Sequence, residues 1–148
     1  MAILRLNYAV ELRYGVIRDL ADAVVARRPI PLAMGHANVI WQRDANSVAL
    51  RALAHCSNPP LVLNVTGPET LSIRATALRL GERLGMEPIF DGEEAPTALL
   101  SDASRCHALL GRPKVSAEQV MDWVADWVKA GGRSLGKPTH FEVRTGEF

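Results

Sequence analysis

Two apolar runs of strand length constrain this chain more than any other feature: residues 2–9, Ala-Ile-Leu-Arg-Leu-Asn-Tyr-Ala, and residues 61–65, Leu-Val-Leu-Asn-Val. A strand that is apolar along most of its length, and not only at alternate positions, suits burial on both faces of a parallel sheet. Helical patterns lie between and after the two runs. The order reads strand, helix, short strands, helix, strand, helix, short strand, helix, helix, and such alternation means an α/β fold. Two buried-type strands are too few for a stable parallel sheet, because each needs neighbours for its backbone groups. The pattern is that of part of a sheet.

The helices announce themselves by spacing and caps. From 10 to 26, Leu12, Val16, Leu20 and Val24 recur every fourth residue until Arg27, Arg28 and Pro29 stop the pattern. Short strands are expected at 30–33 and 38–41 around a turn at Gly35, followed by a helix from Asp44, read as its cap, to about His55. Ser72 is the expected N-cap of a helix with Ile73, Ala77, Leu80 and Leu84 on its apolar face, ending at Gly85. A short strand at 88–90, an acidic loop at 91–94 and a helix at 101–110 follow. Ser116-Ala-Glu-Gln119 reads as a capping box opening a last helix, on which Val120, Trp123, Val124, Trp127 and Val128 share a face. Trp123 and Trp127 are read as packing residues. Gly131 and Gly132 end that helix, and residues 133–148 form a polar, irregular tail.

Composition bounds what the chain can do. With 148 residues, 48% of them hydrophobic, one ordinary domain with a real core is expected. Seventeen Lys and Arg balance sixteen Asp and Glu without clustering, so nucleic acid is not an expected partner. No apolar stretch approaches the ~20 residues that span a bilayer. With no signal-like segment at the start, a soluble, cytoplasmic protein is expected. Cys56 and Cys106 lack companions at metal or redox spacing and read as reduced thiols.

Four segments in order resemble the last ~150 residues of the extended short-chain dehydrogenase/reductases, the NAD(P)-dependent epimerase/dehydratase group. Ile-Leu-Arg-Leu-Asn-Tyr at 3–8 is similar to the late Rossmann strand with its Arg-x-x-Asn-x-Tyr-Gly region, in shortened form. Trp41-Gln-Arg-Asp44-Ala-Asn-Ser-Val-Ala-Leu resembles the family's strand and Val-x-Asp-Val-Ala segment. Leu63-Asn-Val-Thr-Gly-Pro-Glu-Thr-Leu-Ser72 resembles its Gly-rich turn before a Ser cap, and Leu109-Leu-Gly-Arg-Pro-Lys-Val-Ser116 its Leu-Gly-x-x-Pro link into the final helix. The resemblance implies late strands of a Rossmann-like sheet plus the small mixed α/β substrate-binding subdomain. Residues 1–132 would be the C-terminal part of the epimerase/dehydratase domain.

The resemblance also says what to look for. Family members hold NAD or NADP on a Gly-x-x-Gly-x-x-Gly loop at a helix N-terminus, and use a Tyr-x-x-x-Lys pair for acid–base chemistry. Neither motif occurs in this sequence: Gly81 and Gly85 belong to a helix and its end, and Tyr8 and Tyr14 are followed four places on by Leu12 and Arg18. No cofactor is expected on this chain, and the chain alone is expected to be inactive. Substrate contact is what the resemblance leaves. Asn7 matches the asparagine at the substrate cleft, although it can equally tie down the strand end. Arg13, Tyr14 and His36 are further candidates, each weighed against plain solvent exposure. Many sugar-nucleotide members carry an arginine seven residues before the Asp of the Val-x-Asp segment; here that position is Ala37, which argues against the usual way of holding a diphosphate.

Three readings follow: a substrate-binding portion cut off from its Rossmann half, a free-standing module that covers its bare strands by self-association, or one subunit of a split enzyme. The partners implied are a small-molecule substrate and either a second copy or the missing half.

Overall fold

In the computed structural model, which describes residues 1–145, the two apolar runs pair with each other. Strand β1 (Ala2–Leu6) lies parallel to β6 (Leu61–Val65), with Ala2 opposite Leu61 and Leu6 opposite Val65. The strand expected over 2–9 breaks after Leu6. Tyr8 takes a left-handed φ of 40°, uncommon for an aromatic residue, and the chain resumes as β2 (Ala9–Val10), parallel to β5 (Ile40–Trp41). One apolar run thus serves two sheets, with Asn7 and Tyr8 at the step between them.

The β1–β6 pair is covered on one face. Leu4, Leu61, Leu63 and Val65 pack with Val48 and Ala52 of α2 (Gln42–Ala52) and with Cys106 and Leu110 of α4 (Ser104–Leu110). On the other face Ile3 is 40% exposed, and Leu6, at the strand's end on the same face as Leu4, is 55% exposed, which corrects the expectation of a strand buried on both faces. A short 3-10 turn, Leu53–His55, follows α2.

The larger core gathers the long helices. Ile17, Leu20 and Val24 of α1 (Val16–Val25) meet Ile73, Ala77 and Leu80 of α3 (Ile73–Leu84) and Val120 and Val124 of α5 (Ala117–Lys129). Helix α1 starts at Val16 and not at 10, because Glu11 and Tyr14 first close a tight turn, Glu11 N donating to Tyr14 O at 2.9 Å. Gly15 makes that turn possible: its φ is 117°, and a Cβ there would strike Val10. The minor strands are β3 (Ile30–Pro31) parallel to β8 (Phe90–Asp91), and β4 (His36–Ala37) antiparallel to β7 (Leu71–Ser72). Together these elements form a partial Rossmann-like layer and a small mixed α/β subdomain.

The caps read from sequence are in place. Ser72 accepts from Ala75 N and Ser116 from Gln119 N, both at 3.2 Å, and Gly85 ends α3 at φ 70°. Asp44 is different. It is the third residue of α2, and its carboxylate reaches away from the helix to take the N–H groups of Lys114 and Val115, both at 2.9 Å. The expected cap is instead a buried tie to the link before α5. Trp123 packs edge-on against Trp41, ring centroids 5.4 Å apart, and Trp127 covers Gly132. The tail lacks helix and strand but is not loose: Thr139 and Phe141 are buried. Residues 146–148 of the expected tail lie outside the described residues. Among the described residues no helix is long and apolar enough to cross a membrane.

Candidate functional site

Open α/β sheets bind ligands beyond the carboxyl ends of their strands, where backbone polar groups and loops converge. At that end of β1 and β6 the chain has built a cavity of about 730 Å3 with mixed polar and apolar walls. Asn7 N continues the ladder by donating to Val65 O at 3.0 Å, and its side-chain Nδ2 donates to Ser101 Oγ at 3.4 Å. Ser101 N in turn donates to Asn38 Oδ1 at 2.9 Å, and Asn38 Nδ2 donates to Glu69 O at 3.0 Å. Asn38 is buried and uses both ends of its amide, so it fixes the loop that carries Ser101. Gly67 lines the same cavity, and the position admits only glycine, since a Cβ there would collide with the carbonyl of Val39.

On the far wall stand His107 and Arg112. His107 Nε2 lies 2.9 Å from Thr66 O. A carbonyl only accepts, so Nε2 carries the hydrogen and donates. The Asp102 carboxyl is held below the usual carboxylate range by the N–H of Ser104, donated at 2.8 Å. The walls thus combine hydroxyls, amides, one guanidinium and one carboxylate, a set suited to a hydroxylated small molecule. Cys106, behind this wall, has its thiol pushed above the ordinary value by burial and stays protonated.

A smaller cavity of about 310 Å3 is lined by Leu6, Tyr8, Tyr14, Gln42 and Thr139. Burial pushes the Tyr8 phenol above its ordinary value, with the charge of Glu142 and then Tyr14 adding to the effect. At neutral pH it is a hydrogen-bond donor and not a base.

The four residues singled out from sequence therefore separate. Asn7, at the end of β1, lines neither cavity but bonds to Ser101 of the larger one, while Tyr14 lines the smaller. Arg13 is exposed and pairs with Glu11 at 3.0 and 3.1 Å, away from both cavities. His36 is exposed on β4 and lines neither. Sequence reasoning missed Asn38, Ser101, His107 and Arg112. Asn38 left a faint signal, a polar residue heading the apolar triplet Val39-Ile40-Trp41; Arg112 left none. Among the described residues no cluster of three metal-ligating side chains occurs.

No protein-family model and no curated protein match the sequence. Solved structures do match. The UDP-glucuronic acid 4-epimerase from Bacillus cereus, in complex with NAD, superposes with a TM-score of 0.69 at 20% identity, over 86% of this chain and 43% of that one. The chain has the fold of part of a UDP-sugar 4-epimerase. The UDP-glucose 4-epimerase of Thermotoga maritima, with UDP-glucose, matches at TM-score 0.66 and 15% identity, over 88% of this chain and 46% of the other. RMD from Pseudomonas aeruginosa, complexed with NADPH, matches at 0.63 and 18%, over 85% and 46%. This chain spans less than half the length of the structures it matches. The epimerase/dehydratase resemblance read from the four sequence segments holds at the level of fold.

Proposed function

We propose that this chain supplies the substrate-binding portion of an NAD(P)-dependent epimerase, dehydratase or reductase, and that the cofactor loop and the Tyr-x-x-x-Lys pair are contributed from outside it. The observation that carries the reading is the placement of a cavity bearing Ser101, His107 and Arg112 at the carboxyl ends of β1 and β6, in a chain whose fold covers only 43% of a matching NAD-complexed epimerase. In this reading Asn7, Ser101, His107 and Arg112 hold and orient a hydroxylated substrate while the other half moves hydride and proton. Ala37 is buried in β4, so the position that carries a diphosphate-pairing arginine in many sugar-nucleotide members has no charge here. The cation of the cavity is Arg112, on a different element.

Calorimetric titration of the chain with NAD and with NADP tests the reading. No saturable heat is expected from either; tight binding of one of them by this chain alone overturns the claim that the cofactor contacts lie outside it. A second reading, a free-standing self-associating module, is favoured by the exposed apolar residues Ile3 and Leu6 along β1. It requires a concentration-dependent dimer in sedimentation velocity that Ile3→Lys dissolves.

A further inference from the structure

The tail is tied down far more firmly than its composition requires. Residues 134–144 are mostly polar and include Gly136, Lys137 and Pro138, yet they are anchored at both ends and in the middle. Leu135 N donates to Arg13 O at 3.0 Å. Thr139 gives both its N–H, at 2.8 Å, and its hydroxyl, at 2.6 Å, to Asp19 Oδ2. Phe141 is 6% exposed within the larger core. Arg144 then spreads its guanidinium over three acceptors on two segments: Nη1 donates to Ala33 O and Thr97 O, and Nη2 to Thr97 Oγ1, all at 2.7 Å.

Those acceptors matter because of what lies next to them. Thr97 sits in the middle of the irregular loop 92–103, whose distal part, Leu100 to Ala103, forms one wall of the larger cavity. The loop's own ties lie on either side of Thr97. Glu94 meets Arg74 at 2.6 Å before it; after it, Leu99 N donates to Met34 Sδ at 3.4 Å, Ser101 N to Asn38 Oδ1 at 2.9 Å, and Asp102 O accepts from Asn64 Nδ2 at 2.9 Å. Arg144 bridges the gap by clamping Thr97 to Ala33, the neighbour of Met34. In the middle of the tail, Thr139 lines the smaller cavity with Tyr8 and Tyr14.

We propose that residues 134–144 form a strap that fixes the loop 92–103 across the strand ends, and so sets Ser101, the partner of the Asn7 amide, in place. The strap goes beyond the proposed function: it concerns how the cavity is held in shape, whatever fills it. A planar guanidinium suits the task, since Nη1 bridges the two segments while Nη2, held in the same plane, adds the Thr97 hydroxyl as a third acceptor.

Hydrogen exchange on the full chain, read residue by residue, tests this. Arg144 is exposed, so Arg144→Ala leaves the core intact. Exchange at the Leu99 and Ser101 amides should rise about tenfold in Arg144→Ala, as expected for removing charge-assisted bonds from a locally opening segment, with α1, α3 and α5 unchanged. Arg144→Lys should fall between, and Thr97→Val, which removes one acceptor of three, should give a smaller rise. Unchanged exchange at Leu99 and Ser101 in Arg144→Ala overturns the strap. So does a rise of equal size in the helices, which would mean that the tail only adds global stability. Because the readout is loop order and no ligand is involved, either failure would leave the cofactor titration as the separate judge of the proposed function.

Discussion

One carboxylate oxygen of Asp44 accepts two backbone N–H groups, from Lys114 and Val115, in a setting where the residue is 8% exposed. Removing it strands two donors away from water. Asp44→Ala should therefore cost about 2–4 kcal/mol in urea unfolding, whereas Asp44→Asn, whose single carbonyl can serve both donors without the charge, should cost about half as much. Equal losses would show that charge, and not the acceptor, matters. Asp19 makes the opposite kind of contact: burial pushes its carboxyl above the usual range, and the two bonds from Thr139 oppose the shift without cancelling it. With the folded value above the unfolded one, the native state binds the proton more tightly. Its contribution is then fully present below the unfolded value and is lost as pH rises through the folded one. Relative to Asp19→Asn, the natural protein should gain stability as pH falls from neutral into the acid range. Denaturation midpoints across a pH series that diverge the other way would mean that the Thr139 bonds outweigh burial.

At the scale of elements, local chemistry proved readable and distant chemistry did not. Ser72, Gly85 and Ser116 sit where the sequence places them because a cap is decided within four residues of itself. Ser116→Ala should cost about 1 kcal/mol. Gln119 makes no return bond to Ser116 among the described residues, so the box is half formed, and Gln119→Ala should cost less than about 0.5 kcal/mol. A loss at Gln119 as large as that at Ser116 would restore the full box. Asp44 looked like a cap because a carboxylate near a helix start usually is one; its partners lie 70 and 71 residues away. The cavity was hidden for the same reason. Asn38, Ser101, His107 and Arg112 come from segments far apart in sequence that meet only in the folded chain, while Arg13 and His36 are exposed and line neither cavity. Asn7 drew notice because it closes its strand, where its N–H continues the ladder to Val65.

The molecule as a whole carries two cores of unequal standing. One holds α1, α3 and α5 with the buried Phe141, and nearly all of its members are fully enclosed. The other rests on a parallel pair of two strands, covered by α2 and α4 on one side, with Ile3 and Leu6 left in water. A two-stranded parallel sheet buries too little to be independently stable, and parallel strands are ordinarily covered on both faces. Opening of β1 from β6 should thus require much less than global unfolding. Native-state hydrogen exchange in low denaturant is expected to separate the two: amides of β1 and β6 exchange through a sub-global opening, and those of α1, α3 and α5 only through complete unfolding. If the strands fall in the slowest class together with the helices, the sheet half stands by itself and the case for a covering partner fails. If they open first, then adding the polypeptide that completes the sheet should slow their exchange toward the helical rate, since anything that binds only the closed state stabilises it in proportion to its occupancy.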